Sequence, residues 1–302
     1  MMAEITAKMV KELREMTGAG MMECKKALAE SEGNVDAAVD ILRTRGLAAL
    51  AKKAGRATNE GAIASFVSDD SKVGVLIEVN CETDFVGSNA TFTAFVAQLA
   101  EIVGNENPSD PEALKAVQVP GRDITVEELF GEIVGKLGES MGVARFVREE
   151  VEGTGAVATY IHGGAKIGII VTFAFNNEVT GSSDVFKAFG RDIAMQVAAA
   201  DPIALNRDSF DAAVIEHEMS IYKAQAAESG KPEQIQEKIA EGRLHKFFKE
   251  QALVEQAFVK DPDISIAEYT NKVGKELGDE ISIVGYKRFN LGETAAPAED
   301  AE

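Results

Sequence analysis

The sequence contains few of the residues that build disulfide frameworks and metal sites. It has two cysteines, Cys24 and Cys81, and three histidines, His162, His217 and His245. Cysteines so few and so far apart do not make a disulfide framework, which suits a reducing cytosol. Neither a C-x-x-C nor an H-E-x-x-H spacing occurs, so we expect no zinc site. Because no other enzyme signature stands out, we also expect no catalytic residue and no cofactor.

Long apolar runs are missing as well. No stretch approaches the roughly 18 apolar residues of a membrane-spanning helix, and the first residues lack the basic start and apolar region of a secretory signal. The composition is that of a globular protein, with 45% hydrophobic and 27% charged residues, and 302 residues allow two or three domains. The sequence therefore predicts a cytoplasmic protein without a membrane partner.

The formal net charge is −19. This excess of acidic residues argues against a nucleic-acid backbone as a direct partner, because phosphates are bound by cations. The charge is uneven, since residues 1–58 carry a net +2 and the rest of the chain −21. A mildly basic N-terminal module could bind an acidic protein surface, and a mixed, solvated helix face explains the same balance.

Two segments of the chain repeat one another. Residues 61–103 recur at 155–197 with a constant offset of 94 residues and no gap. Within them, Gly61-Ala-Ile-Ala-Ser-Phe-Val corresponds to Gly155-Ala-Val-Ala-Thr-Tyr-Ile. A shared register over this length indicates two copies of one structural unit. What the copies share is then expected to serve the fold, and the positions where they differ are the better place to look for function.

Each copy has the pattern of two strands followed by a helix. Two β-rich runs flank a polar or Gly-rich tip, at 68–71 and at 162–165, and an amphipathic helix follows. This pattern favours an α+β fold in which two related antiparallel sheets are each backed by helices. Between the copies we expect a polar loop at 104–121, a helix with a capping box at 125–137 and a strand at 143–151.

Most of the chain outside the repeat is predicted to be helical. Residues 5–46 have the spacing of three short helices, with Met16 on the core face of the first. Residues 211–250 predict an antiparallel helical hairpin that projects from the second copy. A short helix near 266–277 and a strand at 281–289 are expected to complete that copy.

These elements divide the chain into four parts. We expect a three-helix module and linker at 1–58 and a first core subdomain at 59–152. A second core subdomain at 153–292 would carry the helical hairpin, and 293–302 would be a disordered acidic tail.

The sharpest difference between the copies follows the second strand of each. Copy one has Asn80-Cys-Glu-Thr-Asp-Phe-Val86, where copy two has Ala174-Phe-Asn-Asn-Glu-Val-Thr180. Asp84 and Phe85 therefore lie on a tight connection between a strand and a helix. In one interpretation, Asp84 caps the helix and Phe85 plugs the local core. In the other, Phe85 is an exposed wedge whose burial in a partner would contribute about 1.5–3 kcal/mol, beside a carboxylate that could disturb a metal or phosphate site by repulsion.

Other candidate contacts rest on weaker signals. Met21 and Met22 are adjacent and cannot both face one helix core, so at least one is expected on the surface, as a docking residue or as an incidental one. His162 lies beside two glycines at the second tip, where it is a partner contact or an incidental exposed residue. Arg14 and Lys25 are, by composition, residues of a solvated helix face.

Three motifs together resemble one known family. They are Val10-Lys-Glu-Leu-Arg-Glu-Met-Thr-Gly-Ala-Gly-Met-Met-Glu-Cys-Lys-Lys-Ala-Leu28, Glu78-Val-Asn-Cys-Glu-Thr-Asp-Phe-Val86 and Ala240-Glu-Gly-Arg243. The chain resembles bacterial elongation factor Ts over nearly its whole length. The resemblance implies a guanine-nucleotide exchange factor for elongation factor Tu, with an N-terminal module like a ubiquitin-associated (UBA) domain. It also implies that the helical hairpin serves dimerisation, whereas the acidic tail does not resemble the C-terminal helical module of some members.

The resemblance further implies which residues bind elongation factor Tu. Asp84 and Phe85, within the turn Thr83–Val86, would enter that protein beside its magnesium and phosphate site. Other contacts would come from the N-terminal module and from the core. They are Arg14, Met21, Met22, Lys25, Met141 and His162.

Two other functions fit parts of the sequence. The chain could be a UBA-like adaptor that binds another folded protein or nascent chains, and only the Thr83–Val86 turn in its strand–helix context distinguishes an exchange factor from it. It could instead be a nucleotide-binding enzyme that uses the Gly-rich segment 163–168. That segment, however, lacks the G-x-x-x-x-G-K-[ST] pattern and is predicted at a hairpin tip.

Overall fold

The computed structural model describes residues 5–53 and 55–294, which form an α+β fold of twelve α-helices and small antiparallel sheets. Residues 295–302, which make up most of the predicted acidic tail, lie outside the described residues. No helix in the described ranges is long and apolar enough to cross a membrane.

Three helices at the N-terminal end share a small core. They are α1 (Ala7–Thr17), α2 (Met21–Glu30) and α3 (Val35–Lys53). The Thr6 hydroxyl caps α1 by accepting from a backbone N–H at 3.3 Å. Leu13, Cys24 and Leu28 are fully buried between the helices.

The prediction that Met16 faces this core is wrong. Its side chain is 62% exposed. Helix α1 ends at Thr17, and the buried part of its core face reaches only to Leu13. The last turn of α1 therefore projects beyond the small core.

The first sheet unit contains three strands and four helices. Its strands pair antiparallel in the order β1–β2–β3. In chain order the elements are β1 (Glu60–Val67), β2 (Val73–Cys81), α4 (Asp84–Gly87), α5 (Ala90–Glu106), α6 (Pro111–Lys115), α7 (Val126–Leu137) and β3 (Met141–Glu150). Helix α6 lies within the segment 104–121 that was predicted to be a loop. Asp110 caps α6, Pro111 occupies its first turn and Leu114 is buried in the core of the unit.

The second sheet unit has the same layout with additional helices. Its strands pair antiparallel in the order β4–β5–β8. In chain order the elements are β4 (Gly155–His162), β5 (Ile167–Ala174), α8 (Val179–Ser182), α9 (Asp184–Ala200), α10 (Ala212–Ala227), α11 (Glu233–Gln251), β6 (Ala257–Phe258), β7 (Asp261–Ser265), α12 (Ile266–Leu277) and β8 (Ser282–Asn290). Strands β6 and β7 pair with each other.

The structural repeat extends further than the sequence repeat. In each unit, a helix that begins with a capping box and ends at a left-handed glycine precedes the last strand. The cap and the glycine are Thr125 and Gly138 in the first unit, and Ser265 and Gly278 in the second. These residues correspond at an offset of 140 rather than 94, because α10 and α11, which pack on each other, are inserted in the second unit.

The two units face each other about an approximate two-fold axis. The Ile63 N–H donates to the Ala165 carbonyl at 2.8 Å, and the Val157 N–H donates to the Ser71 carbonyl at 2.8 Å. The two hydrogen bonds are equivalent at the offset of 94. Each hairpin turn therefore docks on the first strand of the other unit, as in the self-complementary interface of a symmetric dimer.

Equivalent glycines allow the two sheets to come close. A Cβ on Gly74 would lie 2.5 Å from the Ile170 side chain, and a Cβ on Gly168 would lie 2.5 Å from the Ile63 side chain. An apolar cluster fills the space between the sheets. Its buried members are Ile63, Leu76, Val157, Ile170 and Phe289. This shared cluster holds the two units together.

Helix α3 joins the N-terminal helices to the first unit. It continues beyond the predicted end at residue 46 and packs against α7 where two glycines meet, so that a Cβ on Gly46 would lie 2.8 Å from the backbone of Gly131. Such a close approach requires residues without side chains. Leu50 then packs against the core of the first unit, which explains why α3 continues to Lys53, into the linker predicted at the end of 1–58.

Candidate functional site

The turn Thr83–Val86 lies between β2 and α5 and includes the start of the short helix α4. Thr83, not Asp84, caps this helix, since its hydroxyl accepts from the Val86 N–H at 3.4 Å. Val86 is buried, Asp84 is exposed and the Phe85 side chain is 84% exposed. The interpretation in which Phe85 plugs the local core is therefore wrong, and the ring faces solvent.

Hydrogen bonds in both directions join this turn to the segment after α7, and each segment supplies one carboxylate as the acceptor. The Glu139 carboxylate accepts from the Thr83 N–H at 3.0 Å and from the Thr83 hydroxyl at 2.5 Å. In return, the Glu82 carboxylate accepts from the Ser140 N–H at 2.6 Å, and this bond lowers the pKa of Glu82 below its usual value. Arg56 pairs with Glu82 at 3.1 Å. Hydrogen bonds to a charged group are stronger than neutral ones, so the base of the turn is firmly held.

Two small residues pack the inner side of the turn. Cys81 is fully buried at the end of β2, and its thiol donates to the Thr83 carbonyl at 3.1 Å. Burial raises the pKa of the Cys81 thiol to about 12. The reactive thiolate is therefore scarce at neutral pH, and the role of this side chain is to pack the turn. Gly87 approaches β1 so closely that a Cβ would lie 2.8 Å from the Gly61 carbonyl oxygen. The Phe85 ring therefore projects from a turn whose other face is closely packed.

The second unit has a similar turn with a smaller apolar residue. There the Asp279 carboxylate, which corresponds to Glu139, accepts from two backbone N–H groups at 3.0 Å and from the Thr180 hydroxyl at 2.5 Å. The bond from Thr180 is the main cause that lowers the pKa of Asp279 to about 2. Val179, which corresponds to Phe85, is 76% exposed. The supported turn is thus a feature of the fold, and the exposed phenyl ring is specific to the first unit.

The predicted contacts on the N-terminal helices all lie on the surface. Met21 and Met22 are 59% and 62% exposed, because they form the first turn of α2, ahead of its first buried residue, Cys24. Arg14 and Lys25 are exposed as well.

Helix α7 connects this surface with the Phe85 turn. A Cβ on Gly18, in the connection between α1 and α2, would lie 3.5 Å from the Lys136 Nζ near the end of α7. Just beyond that end, Glu139 holds Thr83. The Ser140 hydroxyl also donates to the Lys53 carbonyl, at the end of α3, at 3.0 Å. The N-terminal helices and the turn are therefore attached to the same end of one helix.

The two contacts predicted in the core differ in exposure. His162 ends β4 on the surface, where its Nδ1 shares a hydrogen bond with the Tyr160 hydroxyl at 2.9 Å. Met141, at the start of β3, is only 5% exposed and belongs to the core of the first unit. The structure does not support a contact through the Met141 side chain, because that side chain is already packed.

The Gly-rich segment 163–168 forms the turn between β4 and β5. Gly163, Gly164 and Ala165 have φ of 62°, 67° and 70°, which is left-handed backbone. The segment leads into a strand, whereas a phosphate loop leads into the N-terminus of a helix. In the part of the chain that the structure describes, no three His, Cys, Asp or Glu side chains are grouped to hold a metal ion.

Sequence analysis missed the two carboxylates that hold these turns, Glu139 and its counterpart Asp279. Each follows the glycine that ends a helix with a capping box. That sequence signal is visible only when the two helices are aligned at the offset of 140.

Comparisons with known proteins agree with the resemblance. A family model described as "Elongation factor TS" matches residues 82–293. Over 290 residues the chain is 48% identical to elongation factor Ts of Syntrophotalea carbinolica, covering 96% of this chain and 94% of that protein. It is 48% identical over 289 residues to elongation factor Ts of Clostridium perfringens and 46% identical over 290 residues to that of Clostridium kluyveri, with 96% of this chain and 93% of the relative covered in each case. The chain therefore belongs to the elongation factor Ts family of translation elongation factors.

Proposed function

We propose that the chain binds elongation factor Tu, both GDP-bound and nucleotide-free, and promotes the release of GDP so that GTP can bind. In this role it acts in the cytoplasm as a guanine-nucleotide exchange factor and not as an enzyme, because it makes and breaks no covalent bond. The observation that carries the proposal is the exposure of Phe85 on a turn fixed by Glu139. A turn held in place before binding loses little conformational entropy when a partner contacts it.

The ring and its acidic neighbour have complementary effects in this proposal. Burial of Phe85 in elongation factor Tu would contribute about 1.5–3 kcal/mol, available to displace the element beside the bound nucleotide. Asp84 would bring a negative charge toward the magnesium and phosphate site, where it repels the phosphates. Both effects weaken the contacts that hold GDP.

Nucleotide and exchange factor then oppose each other's binding. If the bound factor lowers the affinity of elongation factor Tu for GDP, bound GDP must lower the affinity for the factor by the same ratio. Exchange therefore passes through a transient ternary complex, and the incoming GTP releases the factor.

The N-terminal helices would supply a second contact as a UBA-like module. Met21 and Met22 present adaptable apolar side chains on its surface. Arg14 on α1 and Lys25 on α2 add exposed positive charge to the same module. Docking here and at His162 would set the orientation in which Phe85 enters the partner. This arrangement assigns no contact to the buried Met141 side chain.

The helical hairpin formed by α10 and α11 would serve self-association. Val214 and Ile235 are exposed apolar residues on its two helices. Pairing of two hairpins in a symmetric dimer would bury them. In this proposal 1–58 is the docking module, 59–152 and 153–292 are the two core subdomains, and 293–302 is the tail.

The deciding experiment measures GDP release from elongation factor Tu with fluorescent GDP and compares Phe85→Ala with Val179→Ala. Phe85→Ala is expected to slow release roughly 10- to 100-fold, which corresponds to the burial energy of one phenyl ring. The unfolding free energy should stay within about 0.5 kcal/mol of wild type, because the ring is exposed. Val179→Ala removes the equivalent exposed residue of the second unit and should leave release unchanged.

Wild-type rates with Phe85→Ala would reject the role of the ring. If the chain captured other folded proteins or nascent chains from a lysate but did not accelerate GDP release, the adaptor function would replace the exchange function.

A further inference from the structure

The internal repeat reveals another surface, on α9 and β4, where the two units carry different residues. At four positions on α9 and at the end of β4, the second unit carries a larger polar or cationic side chain than the first. Tyr160, His162, Lys187 and Arg191 replace Phe66, Ser68, Thr93 and Ala97 at the offset of 94. Since shared positions serve the fold, a group of differences in one region indicates a function specific to the second unit.

Three of the four side chains line one cleft, and His162 lies next to it. Tyr160, Lys187 and Arg191 line a cleft of about 470 Å³, with Ser65 of the first unit at its edge. The Arg191 guanidinium lies 6.0 Å from the centre of the Tyr160 ring. The Tyr160 hydroxyl shares its hydrogen bond with His162 at 2.9 Å, so His162 adjoins the cleft through Tyr160. In the first unit, the Phe66 ring packs against the backbone at Gly104 instead.

The cleft is cationic on an acidic protein. Lys187 and Arg191 are exposed, one helical turn apart. Among the described residues, neither takes part in an ion pair. Two cations without acidic partners, in a chain of net charge −19, create a local field opposite in sign to that of the rest of the surface. Such a site attracts and orients an acidic ligand.

We propose that this cleft binds an acidic segment of the protein partner, with Arg191 and Lys187 pairing with its carboxylates. The guanidinium fork can hold a carboxylate with two parallel hydrogen bonds, and His162 and Tyr160 hydrogen-bond at the edge of the cleft. The inference rests on the proposed function, since the partner is the protein that Phe85 enters.

The test uses the first unit as a guide to substitution. The double variant Lys187→Thr with Arg191→Ala installs the residues that the first unit carries at these positions, so the helix should tolerate them. The control is Lys223→Thr with Lys231→Ala, which removes two exposed cations from the helical hairpin. Association with GDP-loaded elongation factor Tu is followed by stopped flow at several salt concentrations, and GDP release is measured at a saturating concentration of each variant.

We expect the double variant at 187 and 191 to associate roughly tenfold more slowly at low salt and with a weaker dependence on salt. Saturated GDP release should be unchanged, because Phe85 and Glu139 are intact. The control should associate like wild type.

Three results would overturn the inference. The first is a double variant that associates at the wild-type rate with the wild-type salt dependence, and the second is an equal loss in the control. The third is calorimetric binding of inorganic pyrophosphate that is lost in the double variant while association with elongation factor Tu is unaffected, since this would make the cleft a phosphate site. If the wild-type chain does not bind elongation factor Tu at all, the proposed function fails and this inference fails with it.

Discussion

Thr83 gives two hydrogen bonds to Glu139, one from its backbone N–H at 3.0 Å and one from its hydroxyl at 2.5 Å. They join the turn after β2 to the segment after α7. In the second unit, Asp279 holds the turn after β5 in the same manner. One carboxylate in each unit therefore supports one exposed apolar residue, Phe85 or Val179. Both units therefore contain a turn held by a carboxylate, and the turn of the first unit carries the large ring of Phe85 where that of the second carries Val179.

This relationship predicts the effect of Glu139→Gln. The substitution keeps one acceptor oxygen and removes the charge, so the Thr83 hydroxyl or N–H loses its partner. The unfolding free energy should fall by about 1–3 kcal/mol, and GDP release should slow because the turn that carries Phe85 is no longer held by its charged acceptor. Urea unfolding and fluorescent-GDP release measure the two effects.

Asp279→Asn is the matched control for that experiment. It removes the equivalent charge in the second unit and should lower the unfolding free energy while leaving GDP release at the wild-type rate. Equal losses of release in Glu139→Gln and Asp279→Asn would show that the effect comes from stability and not from the Phe85 turn.

Much of the fold could be predicted from the sequence because the repeat is exact in register over 61–103 and 155–197. The strand pairs and the long helix of each unit follow from it. The second half of the repeat could not be found in this way. The insertion of α10 and α11 changes the offset to 140, and a comparison at one fixed offset ends where an insertion begins.

The candidate site shows a different limit. An apolar residue between a strand and a helix can turn inward or outward, and the sequence does not determine which. For Phe85 the direction is set by the hydrogen bonds from Thr83 to Glu139 and by the close approach of Gly87 to β1, and both depend on partners distant in sequence. For the same reason, helical spacing placed Met16 in the core, whereas the structure exposes it. The resemblance names Met141 as a contact, and the structure buries its side chain.

The lowered pKa of Asp279 predicts part of the acid sensitivity. Hydrogen bonds lower this pKa from 3.8 to about 2, so the unfolded chain binds the proton at a higher pH than the folded chain does. The stabilisation is complete above the unfolded pKa and is lost as the pH falls through about 2. Between about pH 5 and pH 3, wild type should therefore lose unfolding free energy more steeply than Asp279→Asn. Denaturant unfolding followed by circular dichroism at each pH tests this, and parallel pH profiles would contradict it.

The thiols should be unreactive in the folded protein. Cys24 and Cys81 are fully buried, and burial raises both pKa values, that of Cys81 to about 12. Only the thiolate attacks a disulfide reagent, so neither should react with Ellman's reagent at pH 8 until the chain unfolds in guanidinium. Cys24→Ser and Cys81→Ser, assayed separately, assign any signal to one thiol. Rapid reaction of Cys81 in the native state would mean that the packing beneath the Phe85 turn opens.

The contact between α3 and α7 predicts a cost for Gly46→Ala. The new Cβ would lie 2.8 Å from the backbone of Gly131, so the two helices must move apart, at a cost of about 1–3 kcal/mol in unfolding free energy. Because α7 also leads to Glu139, the displacement should alter the orientation of the N-terminal helices relative to Phe85 and slow GDP release. Gly135→Ala, also on α7, is the control, since nothing lies within 4 Å of the added Cβ. Alanine there should stabilise the helix by about 0.5–1 kcal/mol. If both variants were as stable as wild type, the close approach of the two helices would not persist in solution.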